Sequence, residues 1–280
     1  MLNKVKGQQQ LFEKKLRFYE ELLSVQVKNM QRLLAAISFK KLDKINAESK
    51  IQNGDYIIGP GNVIIDEKDL ELIFDEILPL MKKYYDNKEE LKRLEDLNDK
   101  RKFSLKLLVE NVLTHNDDNW IISSQEFKVS KKLLQDIGEY ISSPYLELCS
   151  EYFNKKIQDL KWDQSICPIC GNFPAMALVN DRMNYRILWC QLCETEWNFE
   201  QTICPFCSND DLKTLKHLFP ANNSPYRIDA CDHCKIYIKV IDEQQMVKKH
   251  NFIVEYLSTP YLDELAKKHG YQNFKSSHLT

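Results

Sequence analysis

The amino-acid sequence predicts an α+β fold, with an all-helical N-terminal domain, two small zinc-ribbon-like metal-binding modules and a short C-terminal helix. Two observations support this prediction. Apolar residues recur every three or four positions in the first half of the chain, as they do along one face of a helix. All nine cysteines lie between positions 149 and 234, beside short runs of β-forming residues. We expect domains over residues 1–160, 161–200, 201–245 and 246–280.

The composition is that of a globular protein, and it argues against several functions. Hydrophobic residues make up 43% and charged residues 29% of the 280 positions, so disorder over most of the chain is not expected. The net charge of −2 lacks the basic excess of a typical nucleic-acid-binding protein. No apolar run approaches the roughly 18 residues of a transmembrane helix, so we expect no membrane insertion.

The N-terminus lacks the apolar core and the small-residue cleavage site of a secretory signal. We therefore expect a cytoplasmic protein. In that reducing compartment, cysteines ligate metals more often than they form disulfides. The sequence sets no oligomeric state, and it is compatible with a homo-oligomer.

The helical domain begins with a long amphipathic stretch. Its apolar stripe predicts one helix over about residues 8–38. Asp66 is the predicted N-cap of a second helix, which Pro79 should kink or end early. Near the other end of the chain, residues 260–270 combine a helical pattern with a basic last turn and a terminal glycine, which predicts the C-terminal helix.

Two further helix starts are predicted from capping signals. Ser123 and Glu126 have the spacing of a capping box, in which each side chain bonds the other residue's backbone N–H. Ser143 followed by Pro144 has the composition of an N-cap and first helical residue, and it predicts a last helix through about residue 158.

Eight of the nine cysteines form four C-x-x-C pairs. A C-x-x-C turn directs two thiolates at one ion, so two pairs complete a tetrahedral site and four pairs make two sites. Taken consecutively, the pairs have zinc-ribbon-like spacings of C-x₂-C-x₁₉-C-x₂-C and C-x₂-C-x₂₃-C-x₂-C. We predict these metal ligands: Cys167, Cys170, Cys190 and Cys193 at the first site, and Cys204, Cys207, Cys231 and Cys234 at the second.

Three alternatives to two consecutive zinc-ribbon sites are weighed. Interleaved pairing, first with third and second with fourth, is the RING-like arrangement. A thioredoxin-like dithiol would need a βαβ context, which a glycine-poor segment with short β-runs does not suggest. A cubane iron–sulfur cluster usually takes one tight run of cysteines plus a remote ligand. Four-sulfur sites bind Zn²⁺ or a single iron, and the sequence does not choose between these two metals.

Closed four-cysteine sites have structural or redox roles rather than hydrolytic ones, because no position remains for a catalytic water. Cys149 is left over, and its apolar neighbours predict a buried, inert thiol, with a reactive thiol as the alternative. His233 lies inside the fourth pair, where we expect it on the surface rather than as an alternative ligand.

The cysteine segments together form a specific pattern. Residues 167–174, 186–197, 204–207 and 231–239 read CPICGNFP, RILWCQLCETEW, CPFC and CDHCKIYIK. This order resembles the formate dehydrogenase accessory protein family, FdhE. The resemblance is dense over about 162–240, it returns at 260–271, and over 1–160 it extends only to a helical domain preceding the cysteines.

The resemblance implies one helical domain followed by two rubredoxin-like modules. It also implies a non-enzymatic accessory role in the maturation of formate dehydrogenase. The expected partner is the catalytic subunit, a molybdenum- or tungsten-cofactor protein, which would be bound in the cytosol before export or assembly. The expected cofactors are two metal ions, iron or zinc, in the Cys₄ sites.

Aromatic residues near the cysteine turns are candidate anchors for that partner, because aromatic side chains dominate binding hot spots. The same residues could instead form the small core of each module, which we favour for Trp197 and Tyr237. Of the aromatic residues, this leaves Trp189 and Phe206. Together with Arg186 they are the candidate partner-binding residues.

Two other functions are weighed against the accessory role. The first is a zinc-ribbon protein associated with nucleic acid or transcription. Residues 161–240 contain eight Lys and Arg but nine Asp and Glu, which does not favour nucleic-acid binding. The second is an electron-transfer or thiol-redox protein with iron in its Cys₄ sites, which the colour of the purified protein would distinguish from a zinc protein.

Overall fold

The computed structural model describes residues 2–36, 39–180, 182–220 and 224–274. The chain divides into two compact units. The first is helical and comprises the described residues up to Ile45 together with Ile58–Cys149. The second contains all eight paired cysteines and comprises Asn46–Ile57 together with the described residues from Ser150 onward.

The described residues up to position 157 form helices that range from 4 to 35 residues in length. The helix predicted over residues 8–38 is present as α1, and positions 37 and 38 lie outside the described residues. Asp66 precedes α4, as predicted, with extended backbone angles. The helices are α1 (Leu2–Ala36), α2 (Phe39–Leu42), α3 (Ala47–Gln52), α4 (Glu67–Tyr84), α5 (Lys88–Asp99), α6 (Leu105–Thr114), α7 (Asp117–Phe127) and α8 (Lys131–Ile157).

Pro79 and Pro144 both lie inside helices. α4 continues five residues beyond Pro79, so the early end considered there is wrong; α8 runs through Pro144, so the predicted start at Ser143 is wrong, whereas its end at Ile157 agrees with the predicted end near residue 158. A proline inside a helix leaves the carbonyl four residues earlier without its helical donor. At Pro144 that carbonyl belongs to Tyr140, and the Gln26 side-chain amide donates to it over 3.4 Å. This side-chain hydrogen bond replaces the missing one.

The helix start predicted at Ser123 is also wrong. Ser123 lies in the middle of α7, where it is buried and its hydroxyl accepts a 3.2 Å hydrogen bond from the Asn111 side chain. The N-cap of α7 is Asn116, whose side-chain oxygen accepts from the backbone N–H of Asp118 over 2.9 Å. A strong cap seven residues earlier therefore takes precedence over the capping-box pattern.

After α8 the chain forms β-strands that, within the described residues, make one six-stranded sheet. The strands lie in the order β3-β2-β1-β6-β5-β4. Each half of the sheet is an antiparallel three-stranded meander, and the halves join where β1 runs parallel to β6, with Met176 opposite Lys239 and Val179 opposite Asp242. The strands are β1 (Met176–Val179), β2 (Tyr185–Trp189), β3 (Glu196–Glu200), β4 (Leu215–Leu218), β5 (Tyr226–Cys231) and β6 (Tyr237–Asp242).

Two short helices follow the sheet, α9 (Phe252–Ser258) and α10 (Pro260–Lys268). Phe252 of α9 joins a buried cluster with Met176 and Ile241, one residue from each strand of the parallel junction. α10 contributes Leu262 to a second cluster on β5 and β6. The predicted α+β fold, with helices first, then a cysteine-bearing β region and a short helical C-terminus, is confirmed.

Among the residues that the structure describes, no helix combines the length and the apolar character needed to cross a membrane.

Candidate metal centres

The four C-x-x-C pairs adopt the same backbone turn. In each turn, the N–H of the first cysteine donates to the carbonyl five residues later, over 2.8 to 3.0 Å. The N–H four residues after that cysteine donates back to the cysteine's own carbonyl, over 2.8 to 3.0 Å. The residue after the second cysteine has a positive φ in every turn; these residues are Gly171 (73°), Glu194 (56°), Ser208 (59°) and Lys235 (60°). The sequence thus builds one motif four times.

Gly171 is the only glycine among the four, and its environment explains why. A Cβ built at this position would lie 2.7 to 2.9 Å from the ring of Tyr56. The Tyr56 segment is fixed by a hydrogen bond from the Ile57 N–H to the Pro168 carbonyl over 2.9 Å. Tyr56 therefore packs directly on the first turn, at a place where a side chain would collide with it.

The first cluster consists of Cys167, Cys170, Cys190 and Cys193, whose sulfur atoms all lie within 4.8 Å of one another. The Cys167 and Cys193 sulfurs are 3.4 Å apart, and the Cys170 sulfur lies 3.6 Å from that of Cys190 and 3.5 Å from that of Cys193. These distances far exceed the roughly 2.05 Å of a disulfide bond. Four sulfurs at about 2.3 Å from one ion define a tetrahedron with edges of about 3.8 Å. The cluster is therefore close to the geometry that a metal requires.

The second cluster consists of Cys204, Cys207, Cys231 and Cys234. The Cys204 and Cys234 sulfurs are 3.8 Å apart, and the Cys207 and Cys231 sulfurs are 3.7 Å apart. These values match the edge of a metal–thiolate tetrahedron. The pairs thus group consecutively along the chain rather than in the interleaved scheme, and each cluster can hold one ion.

Hydrogen-bonding groups around the cysteines oppose the effect of burial, which leaves the pKa of the Cys204 thiol above its usual value. Burial raises the pKa of Cys204, while the backbone N–H groups of Phe206 and Cys207 hydrogen-bond its sulfur and act in the opposite direction. At the first site the Thr195 hydroxyl lies 3.1 Å from the Cys193 sulfur. At the second site the Asn209 amide donates to the Cys231 sulfur over 3.6 Å. Such contacts orient ligands and offset part of the thiolate charge.

Tyr56, Thr195 and Asn209 were not among the sequence-predicted site residues. Thr195 and Asn209 each occupy the second position after a C-x-x-C pair, so their contacts follow from the repeated turn. That local signal is present in the sequence. No comparable signal exists for Tyr56, because it precedes Cys167, the first cysteine of the clusters, by more than one hundred residues.

The two remaining candidates lie where the sequence suggested. Cys149 is fully buried, and burial raises the pKa of its thiol to about 12. At neutral pH this thiol is protonated and unreactive. His233 is exposed to solvent.

The predicted partner-binding residues have different environments. Arg186 is 3% exposed; its guanidinium donates to the Ile203 carbonyl and lies 3.8 Å from an Asp229 oxygen. Trp189 is also 3% exposed and stacks on Phe252, with ring centroids 5.4 Å apart. Neither side chain presents a surface to a partner, because neighbouring groups of the same unit cover it.

Phe206 is half-buried, and its ring stacks against Phe274 at 5.4 Å between centroids. Of the three predicted partner-binding side chains, it alone keeps appreciable exposure. Trp197 and Tyr237 are buried, which corresponds to the small-core alternative favoured for them.

Comparisons with known proteins agree on one family. The family model described as FdhE, central domain, matches residues 166–201, which include the whole first cluster. A protein of Aquifex aeolicus named Protein FdhE homolog is 25% identical over 243 residues, covering 82% of this chain and 76% of that protein. The Shewanella baltica protein of the same name is 33% identical over 110 residues, covering 39% of this chain but 36% of its own length.

A solved structure has the same fold. The crystal structure of the FdhE protein from Pseudomonas aeruginosa matches with a TM-score of 0.54 at 17% identity, covering 94% of this chain and 93% of that one. The match therefore extends over the helical region as well as the cysteine-bearing sheet. The relationship to the FdhE family that the cysteine pattern indicated is thus confirmed.

Proposed function

We propose that this chain is an accessory factor in the maturation of formate dehydrogenase. It binds the catalytic subunit of a molybdenum- or tungsten-containing formate dehydrogenase in the cytosol, before that subunit is exported or assembled. The observation that carries the proposal is the pair of complete Cys₄ clusters within a chain that resembles FdhE proteins over most of its length.

In this proposal the protein acts by binding rather than by catalysis. Each cluster offers four thiolates to one ion, iron or zinc, and a tetrahedral ion with four protein ligands has no position for a substrate or a water. When bound, the ions supply structural stabilisation to a small sheet whose own apolar core is limited. The helical unit and the sheet surface then provide the contacts to the client.

Capture of the client from its own host tests the proposal. A tagged full-length chain, purified without oxygen, should retain the formate dehydrogenase catalytic subunit, and deletion of the chain should abolish formate oxidation while the subunit is still synthesised. Cys193→Ser and Cys207→Ser should weaken both complementation and capture. Cys149→Ser is the matched control, because this thiol is buried and belongs to neither cluster, so the substitution should leave metal content unchanged.

The same experiment has outcomes that contradict the proposal. Normal formate oxidation in the deletion strain would do so. Capture of RNA polymerase or ribosomes instead of an oxidoreductase would favour the nucleic-acid alternative, which salt-dependent binding to mixed DNA or RNA would then test directly.

A further inference from the structure

Strand β3 forms one edge of the sheet and borders an open groove. Within the described part of the chain, β3 pairs only with β2 and no strand lies on its other side. The groove there has a volume of about 1180 Å³ and runs between β3 and residues 154–163, which include the end of α8. An exposed sheet edge is a template for another strand.

The backbone groups that face this groove can be identified. The Ala175 N–H donates to the Trp189 carbonyl over 2.9 Å, so the backbone of Trp189 faces β1 rather than β3. Glu196 lies opposite Trp189, and its own N–H and carbonyl therefore point away from β2. Since direction alternates along a strand, the same holds for Asn198 and Glu200. Three residues thus offer outward donors and acceptors.

A second bond supports this assignment. The Cys190 N–H donates to the Thr195 carbonyl over 3.0 Å, which makes these two residues a hydrogen-bonded pair at the start of the β2–β3 ladder. Two residues further on, Trp197 must also face β2. Both observations give β3 the same alternation, with Glu196, Asn198 and Glu200 on the free side.

The side chains along this edge are acidic. Glu196, Asn198 and Glu200 are exposed on one face of β3, whereas Trp197 and Phe199 on the other face are buried. Glu194 and Asp163 add two carboxylates to the groove wall, against two lysines. One of these lysines, Lys161, already pairs with Asp163 at 2.5 Å. β3 itself contains no basic residue, so its exposed edge presents carboxylates that no cation of the same strand neutralises.

This charge pattern argues against a second copy of the chain as the occupant. An antiparallel β3–β3 pair would place acidic side chains of one copy beside those of the other, and like charges opposite each other destabilise a ladder. A strand with basic side chains on the same face would instead form opposite-charge pairs. The half-buried ring of Trp162 and the exposed ring of Tyr185 in the same groove add surfaces on which Lys or Arg can stack.

We propose that the β3 edge docks an extended polypeptide segment of a partner protein, which adds a seventh strand and carries Lys or Arg at alternate positions. Main-chain hydrogen bonds to Glu196, Asn198 and Glu200 hold the segment, and the carboxylates of Glu196 and Glu200 select its basic side chains. The inference deepens the proposed function. It rests on that proposal only where it identifies the partner protein that carries the segment as the formate dehydrogenase catalytic subunit.

Synthetic peptides test the docking site without the client. The probe is a fluorescein-labelled ten-residue peptide that alternates Lys and Thr, titrated with metal-loaded, full-length protein. Its anisotropy should show saturable binding that weakens about tenfold in Glu196→Lys/Glu200→Lys, since two attractive pairs become repulsive. The matched control, Glu89→Lys/Glu264→Lys, makes the same charge change at two exposed helical positions and should bind as wild type does.

Two methylated peptides separate strand addition from simple charge attraction. One peptide is N-methylated at every Lys and the other at every Thr. Since successive N–H groups of a strand point to opposite edges, each peptide loses the donors of one edge only. Only one edge of an added strand faces β3, so one peptide should bind and the other should not. Equal binding of both, or an equal loss in the two protein variants, overturns the inference. Circular dichroism and metal content verify that each variant is folded.

Capture of the catalytic subunit and binding of the peptide test the proposed function and the docking site separately. If wild-type protein captures the catalytic subunit but the peptide does not bind, the docking site is wrong and the accessory role stands. If the peptide binds as expected but the subunit is not captured, the accessory role is wrong. Self-association of the wild type that depends on the β3 edge would identify a second copy as the occupant and overturn the proposal.

Discussion

The two cysteine clusters share one backbone motif but differ in their surroundings. All four cysteines of the first cluster are buried, whereas Cys207 and Cys234 of the second are half-exposed. The difference comes from what covers each turn. Tyr56 packs on the first turn of the first cluster, and the Thr195 hydroxyl beside Cys193 lies 2.8 Å from that of Ser150 in the C-terminal part of α8.

The C-terminal segment reaches the second cluster, where the Tyr271 hydroxyl donates to Asp232 over 2.9 Å and the Phe274 ring stacks on Phe206, but Cys207 and Cys234 stay half-exposed. Asn209, whose amide donates to the Cys231 sulfur, comes from the same turn as Cys204 and Cys207 and also donates to the Thr214 hydroxyl over 2.8 Å. The repeated turn therefore determines where the sulfur atoms lie, and the flanking chain determines how far water and solutes can approach them.

Removal of one ligand should have the largest effect. A structural metal in a small module contributes on the order of 10 kcal/mol of apparent folding free energy at neutral pH. Cys231→Ser should therefore lose the second ion and expose residues 204–240 to protease, while helical circular dichroism persists. Cys170→Ser should likewise lose the first ion and expose the segment of the first cluster to protease.

Limited proteolysis followed by mass spectrometry, together with elemental analysis, measures this effect. Wild-type protein prepared without oxygen should contain two ions and each variant one. Unchanged protease protection in Cys231→Ser would mean that packing alone holds this half of the sheet.

Alanine at Gly171 should destabilise the protein more than alanine at the equivalent position of another turn. Gly171→Ala places a side chain at φ 73°, which costs about 1–2 kcal/mol, and it also forces the Tyr56 ring to move. Ser208→Ala is the matched control, because its backbone already tolerates a side chain at φ 59°; its effect should stay within about 0.5 kcal/mol. Urea unfolding at saturating metal compares the two, and equal losses would contradict the role of Tyr56.

Metal release to a chelator should sharpen the contrast in exposure. The half-exposed second cluster should lose its ion first, since a competing ligand can reach Cys207 and Cys234. Tyr56→Ala should speed release from the first cluster and leave the second unchanged. The metal content is measured by elemental analysis of samples taken at successive times after the chelator is added. Comparison of wild type with Cys170→Ser and Cys231→Ser then assigns each kinetic phase of metal release to a cluster. Release of both wild-type ions in a single phase would contradict this view.

The sequence predicted what is local and missed what depends on distant contacts. The C-x-x-C spacing and the short β-type runs between the pairs favoured the consecutive grouping of the cysteines, because both are local features of the chain. The parallel pairing of β1 with β6 joins segments about sixty residues apart, so no local pattern signals it. As a consequence, two expected modules share one sheet, and Trp189 at their junction is buried by Phe252 rather than exposed for a partner.

Helix boundaries failed for a related reason. Pro144 has a strong local preference for a helix start, yet the tertiary contact from Gln26 supplies a donor to the orphaned Tyr140 carbonyl. The edge groove along β3 was likewise beyond the sequence, since the alternation of Glu196 and Glu200 predicts a strand face but not which strand is left unpaired.

The smallest expected effect concerns the left-handed residue of the third turn. Ser208 adopts φ 59° with a side chain, at a cost that glycine would not incur. Ser208→Gly removes this cost from the folded state. Glycine also gives the unfolded chain more conformational freedom, and this lowers the gain in folding free energy by roughly 0.5–1 kcal/mol. The net stabilisation should be about 0.5 kcal/mol in urea unfolding at saturating metal. Because Ser208 is exposed, no lost packing obscures the result, and a destabilisation would mean that its side chain, not its backbone, supports the second cluster.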